Sequence, residues 1–180
     1  MGNHELCHYV GEAREDHSYK MEQLPIAQPF FKDPLLFASR IIGGINFVAL
    51  DNGYYLFTDW QRERLEYEVS KGLPVVLMMH NPIHTDELYS VMMNERKQPC
   101  AYLTGTPIEM MASYPADRLA QQRADDATWR FIDYIAHEPA IRAIFAGHLH
   151  FNWEGDLPWG IRQYVTGGGF LGDAREIEFI

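Results

Sequence analysis

The sequence predicts an α/β domain, and three observations carry that prediction. Two short apolar runs, 75–79 and 142–146, have the pattern of strands buried on both faces. Segments with helical periodicity, 59–71 and 117–137, alternate with them through the middle of the chain. Nearer the start, two apolar and β-branched runs flank Gly43-Gly44, a hairpin signal because glycine supplies the positive φ of tight turns. With 180 residues, 47% hydrophobic and 22% charged, the chain fits a single domain spanning 1–180.

Residues 6–34 mix charges, aromatics and prolines without a period, and read as loop with a helical turn or two. Phe37–Ile42 and Ile45–Leu50 are the hairpin strands. Thr58 with Gln61 makes a capping box for a helix over about 59–71, with Trp60, Leu65 and Val69 spaced for one face and Gly72 placed to stop it. Pro74 breaks the chain before Val75–Met79, and His80 closes that strand. The stretch 85–116, with methionine pairs at 92–93 and 110–111 and prolines at 99, 107 and 115, reads as a helical and loop excursion. In the second half of 117–137, Trp129, Ile132 and Ile135 or Ala136 share a helical face. Arg142–Ala146 is a strand running into Gly147-His148-Leu149-His150, and 161–166 and 175–180 are two further strands around a glycine triplet. There is no internal repeat.

A net charge of -10 argues against binding a nucleic-acid backbone, which needs Lys and Arg to neutralise phosphates, so a phosphorylated substrate would need a metal to screen it. Cys7 and Cys100 form neither a disulfide framework nor a thiolate zinc site, and fit a reduced cytoplasm. No stretch approaches the roughly 20 apolar residues of a membrane span. Met1-Gly2 lacks the Ser or Thr of a myristoylation signal, since Leu6 stands at that position.

In α/β sheets, ligands gather beyond the carboxyl ends of strands. His80 and His148 both follow apolar runs, so the sheet should present them on one edge. In an extended Gly147–His150 the two imidazoles would face one side while Leu149 packs away. His84, four residues after His80 but separated from it by Pro82, is a weaker candidate as a loop residue. His8, His17 and His137 stand alone and are not nominated.

Gly2-Asn3-His4-Glu5, the apolar strand 75–79 with His80-Asn81-Pro82, and Gly147-His148-Leu149-His150, in that order, resemble the motifs of the calcineurin-like metallophosphoesterases. Ala49-Leu50-Asp51, the helix bearing Gln61 and the turn Val165–Gly169 extend the resemblance over most of the chain. The Asn-His-Glu and His-x-Pro forms are similar to the purple acid phosphatase and cyclic-nucleotide phosphodiesterase branches. The resemblance implies a layered β-sandwich flanked by helices and hydrolysis of a small phosphomonoester or phosphodiester by a water activated between two divalent ions, Mn, Fe or Zn. It implies that Asn3, His80 and His148 hold one ion and His150 the other. His4 would stand beside the phosphoryl group, oriented by Glu5.

The family's Asp-x-His and Gly-Asp-x-x-Asp motifs, which precede Gly-Asn-His-(Asp/Glu) and supply the rest of the two-ion shell, occur nowhere in the 180 residues. The expectation is an N-terminally incomplete fold, with three ligands for one ion, one for the other, and a sheet edge open to self-association. The rival expectations are a remnant without turnover and a half-site completed by another chain.

Overall fold

A computed structural model of the protein describes residues 2–4 and 17–179. The fold is α/β: the described residues form a six-stranded mixed sheet with five α-helices. Strands β1 (Phe37–Ile42) and β2 (Ile45–Leu50) form the expected hairpin, closed by Gly43 and Gly44 at φ 58° and 82°. Next come β3 (Val75–Met78), β4 (Ile141–Ala146), β5 (Trp153–Asp156) and β6 (Arg162–Val165). The order across the sheet is β1-β2-β3-β4-β6-β5. The inner neighbours β2, β3, β4 and β6 run parallel, so their carboxyl ends share one edge, and the two outer strands are antiparallel.

The helices are α1 (His17–Ala27), α2 (Asp59–Val69), α3 (Asp86–Ser90), which continues into a π-helical turn at Val91–Glu95, α4 (Ala116–Gln122) and α5 (Asp126–His137). The capping box of α2 forms as expected: Gln61 N–H donates to the Thr58 hydroxyl at 3.2 Å, and the Gln61 side chain accepts from Thr58 N–H at 3.0 Å. The face of α2 differs from the expected one by a residue. Gln61, Leu65 and Glu68 are buried, while Trp60 is 48% exposed and sets its ring edge-on to Phe37. Gln61 earns its burial by donating to the carbonyls of Asp51 at 2.7 Å and Leu36 at 3.1 Å, and the Glu68 carboxylate accepts from Asn46 at 2.8 Å. In α5 the inward residues are Thr128, Phe131, Ile132 and Ile135, and Trp129 turns out. The single helix expected over 117–137 is two, because the chain is extended at Arg123 and restarts with the Asp125 carboxylate capping Thr128 N–H at 2.8 Å.

One face of the sheet packs into the core with α2 and α5, through Val48, Leu50, Val75, Leu77, Ile144 and the stacked pair Phe57–Phe131, 4.0 Å apart. By strand alternation and register, Phe47, Met78, Phe145 and Tyr164 lie on the opposite face. The strand expected over 175–180 does not form in the described part. There the chain runs without regular structure and sets Phe179 edge-on to Phe47 and Phe145, with ring centroids 5.6 and 6.3 Å apart. That placement lays a partly exposed aromatic ring, 45% accessible, against the sheet face instead of adding hydrogen bonds to an edge, and the edge beside β6 is taken by β5. No helix among the described residues is long and apolar enough to cross a membrane.

Candidate functional site

The carboxyl ends of β2, β3 and β4 converge, and the residues just beyond them build the site. After β2 the chain enters Asp51-Asn52-Gly53, and Asn52, fully buried, uses its whole hydrogen-bonding capacity there. Its Oδ1 accepts from His80 N–H at 3.0 Å and Asn81 N–H at 2.9 Å, and its Nδ2 donates to the Asn81 carbonyl at 2.8 Å and the Thr104 hydroxyl at 3.1 Å. This one amide fixes the exit of β3 and brings in the 100–107 loop. On the far side, the Gln163 side chain of β6 accepts from Ile83 N–H at 2.7 Å and donates to the Ile83 carbonyl at 2.9 Å. His80 therefore leaves β3 on a backbone tied to both neighbouring loops.

Gly53 serves a different end. A Cβ there would stand 2.8 Å from the Gly2 carbonyl oxygen and 3.2 Å from Asn3 N, so only glycine lets the Gly2-Asn3 segment seat against the β2 exit. Asn3 is buried at 4% exposure, and His4 is exposed. Beside this seat, Lys20 of α1 pairs with the buried Asp51 carboxylate and lies over the Tyr54 ring.

Beyond β4 the backbone is not extended as expected. Leu149 N–H donates to the Gly147 carbonyl at 2.7 Å, closing a three-residue turn around His148, and φ is 66° at His148 and 58° at His150. The ladder ends where Gly147 N–H meets the His80 carbonyl, and the turn then carries Leu149 into a second core cluster with Leu88, Met92, Leu103 and Val165. Leu149 does pack away, but by a left-handed turn and not by strand alternation. Tyr55 and Tyr102, at φ 65° and 58°, share the same uncommon conformation, so four of the five non-glycine residues with positive φ among those described surround this point.

The side chains meet closely. His80 Nε2 lies 3.0 Å from Asn3 Oδ1 and 3.0 Å from His148 Nδ1, and His148 Nε2 lies 3.0 Å from the Tyr55 hydroxyl. The half-buried His148 ring is edge-on to His80, Tyr55 and Tyr102, with centroids 4.8, 5.7 and 5.8 Å away. Burial first, and then the positive charges that His80, His150, His4 and Arg118 can carry, push His148 down to about 3. It is neutral at pH 7, with a lone pair to offer. The remaining expected ligand, His150, is exposed and edge-on to Phe170 at 4.9 Å; Glu5, the expected orienting partner of His4, lies outside the described residues, as does Cys7. His84 bonds to Asp86 and packs on Tyr89, and burial holds its imidazole below the ordinary histidine range.

Among the described residues, no group of three or more His, Cys, Asp or Glu side chains is placed to hold a metal ion. The cluster has two imidazoles, and its third donor is the Asn3 amide oxygen. Donor atoms about 2.0–2.2 Å from one ion stand about 2.8–3.1 Å apart at right angles and about 3.3–3.6 Å apart at the tetrahedral angle, so the two 3.0 Å spacings at His80 are compatible with one divalent ion held at near-right angles. The described residues do not suit a second ion, for which His150 alone remains. Beside His80, a cleft of about 250 Å³ opens between Pro34, Leu35, Ala49, Leu50, Met78 and Met79.

Sequence reasoning reached Asn3, His80 and His148 and missed Asn52, Gly53, Tyr55 and Tyr102. Asn-Gly directly after a strand is a turn signal at the functional edge and could have flagged the first two. The tyrosines carry no such mark. Comparison with models of known protein families gives no match, and comparison with curated proteins gives none either.

Proposed function

We propose that the protein is a metal-dependent phosphoesterase of the calcineurin-like kind, with its six-stranded sheet as one layer of the two-layer sandwich. The observation that carries this reading is the meeting of Asn3 Oδ1, His80 Nε2 and His148 Nδ1 at the carboxyl edge of parallel strands, 3.0 Å apart across His80. These three residues would hold one ion. When bound, it supplies Lewis acidity toward a phosphoryl oxygen and toward water. Asn52 keeps the His80 backbone in place, Gly53 gives Asn3 its seat, and His4, exposed at the lip, is within reach of a leaving oxygen that needs a proton. The cleft beside His80 offers apolar side chains to the organic part of a phosphomonoester or phosphodiester. In this reading the protein works in the cytoplasm, and its outer strand β1, with Ile41 and Ile42 exposed, is an edge for self-association.

The test is metal content together with hydrolysis of bis(p-nitrophenyl) phosphate and p-nitrophenyl phosphate in Mn, Fe or Zn. Stoichiometric metal with turnover supports the proposal, and absence of metal binding overturns it. A second reading is favoured by His150 being the sole described candidate for a second ion: the chain binds an ion without turnover, or another chain completes the site. Bound metal without hydrolysis supports the former, and specific activity that rises with protein concentration supports the latter.

A further inference from the structure

We infer, resting on the metal reading above, that Lys20 of α1 is a positioning residue: its ammonium clamps the turn after β2 in the shape that brings Asn3 to His80. A surface helix ordinarily turns an apolar stripe inward. In α1 the order is reversed: of residues 18–27 only Lys20 is buried, while Met21 and Ile26 are 42% and 64% exposed. Apolar packing therefore does not account for the inward lysine. Nor does stability, because apolar side chains of similar volume in place of a buried ion pair are often neutral or stabilising.

What the ammonium touches does account for it. It pairs with Asp51 Oδ2 and stands 4.7 Å from the Tyr54 ring centroid, so it grips the residues on either side of Asn52 and Gly53. Asp51 Oδ1 accepts from Gly53 N–H at 3.1 Å, and Tyr55 N–H donates to the Asn52 carbonyl at 2.8 Å, which closes the turn. Both residues inside the grip serve the site. Gly53 leaves the space in which Gly2-Asn3 seats, and Asn52 fixes the His80 backbone, so one turn sets the 3.0 Å between Asn3 Oδ1 and His80 Nε2. Without Lys20, the Asp51 carboxylate, its side chain 1% exposed, has no other cation paired to it among the described residues. A buried charge in that state turns toward water, and Gly53 N–H loses its acceptor.

A lysine that merely docked α1 would leave Asn3 in place when removed. The experiment compares the wild type, Lys20→Met and the double variant Lys20→Met/Asp51→Asn by the side-chain amide ¹H–¹⁵N resonances of Asn3 in the metal-free proteins, and by zinc affinity in chelator competition. The double variant keeps an oxygen for Gly53 N–H and buries no charge at this point. In Lys20→Met the Asn3 resonances should move toward those of a solvent-exposed asparagine, with zinc affinity lower by about 10–100-fold, the usual effect of losing a group that holds a ligand in place. In the double variant both should return close to the wild type, although nothing then pairs α1 to the turn. Wild-type Asn3 resonances in Lys20→Met overturn the inference. So do displaced resonances, or failure to fold, in the double variant, which decides alone where Lys20→Met does not fold. If the wild type binds no zinc, the metal reading falls, and the Asn3 resonances of the metal-free proteins still decide the role of Lys20.

Discussion

The Asn52 side chain ties three loops together, and its removal gives the sharpest expectation for stability. Asn52→Ala deletes four hydrogen bonds, two to backbone N–H groups, one to a backbone carbonyl and one to a hydroxyl, all at a fully buried position. Each buried N–H left without a partner costs about 1–3 kcal/mol. The two N–H groups of His80 and Asn81 alone therefore bring the loss to about 4 kcal/mol. For a chain of this size, about 2–4 °C per kcal/mol places the fall in Tm at about 8–16 °C. Thr104→Val, which removes one of the four bonds and keeps the volume, should cost about 1 kcal/mol. The assay is urea unfolding with a chelator present, so that metal affinity does not enter, with unchanged m-values as the control. A loss below about 1 kcal/mol for Asn52→Ala would mean that water or a local shift satisfies the exposed N–H groups, and the account of how His80 is held would be refuted.

Gly53→Ala should lower metal occupancy by about tenfold or more while leaving helix content unchanged, because its Cβ would displace Gly2 and with it Asn3; equal occupancy in a metal titration would show that Asn3 is not a ligand. His80→Ala should abolish occupancy, whereas His4→Ala should lower turnover by about 10²–10⁴-fold with the metal retained, and loss of metal from His4→Ala would sink its assigned role. His148 has a folded-state pKa of about 3 against an ordinary value of 6.5, so between those values the unfolded chain takes up a proton that the folded one excludes. Stability of the metal-free protein should therefore fall as pH drops below 6.5 and this contribution should level off below about 3. In His148→Gln the slope should be shallower by up to about 1.4 kcal/mol per pH unit, and identical slopes would contradict the burial of His148.

What could be read from the sequence follows from which signals have a period. The parallel strands announce themselves as apolar runs, and a histidine at the end of such a run falls on the functional edge by topology alone, which is how His80 and His148 were legible. The hairpin was legible because two glycines leave few other conformations. The inward faces of α2 and α5 were misjudged by a residue because Gln61, Glu68 and Thr128 are buried for their hydrogen bonds, which hydrophobic periodicity does not register. Strand β5 escaped notice for a related reason. Trp-Glu-Gly-Asp has no apolar alternation, and Glu154 is held on the sheet edge by Arg162 and Arg175. The turn at Gly147–His150 was unreadable since nothing in a histidine signals a positive φ.

The left-handed backbone at Tyr55, Tyr102, His148 and His150 has a consequence for how this protein would respond to selection for robustness alone. Each of these side chains occupies a conformation that glycine adopts freely and that costs other residues about 1 kcal/mol. Drift toward glycine at any of the four would relax the backbone and erase either His148 itself, a tyrosine ring packed on it, or the neighbouring His150, trading ligand geometry for thermal tolerance. A library sorted only for solubility or heat resistance should lose these rings first, while one sorted for metal retention should keep them.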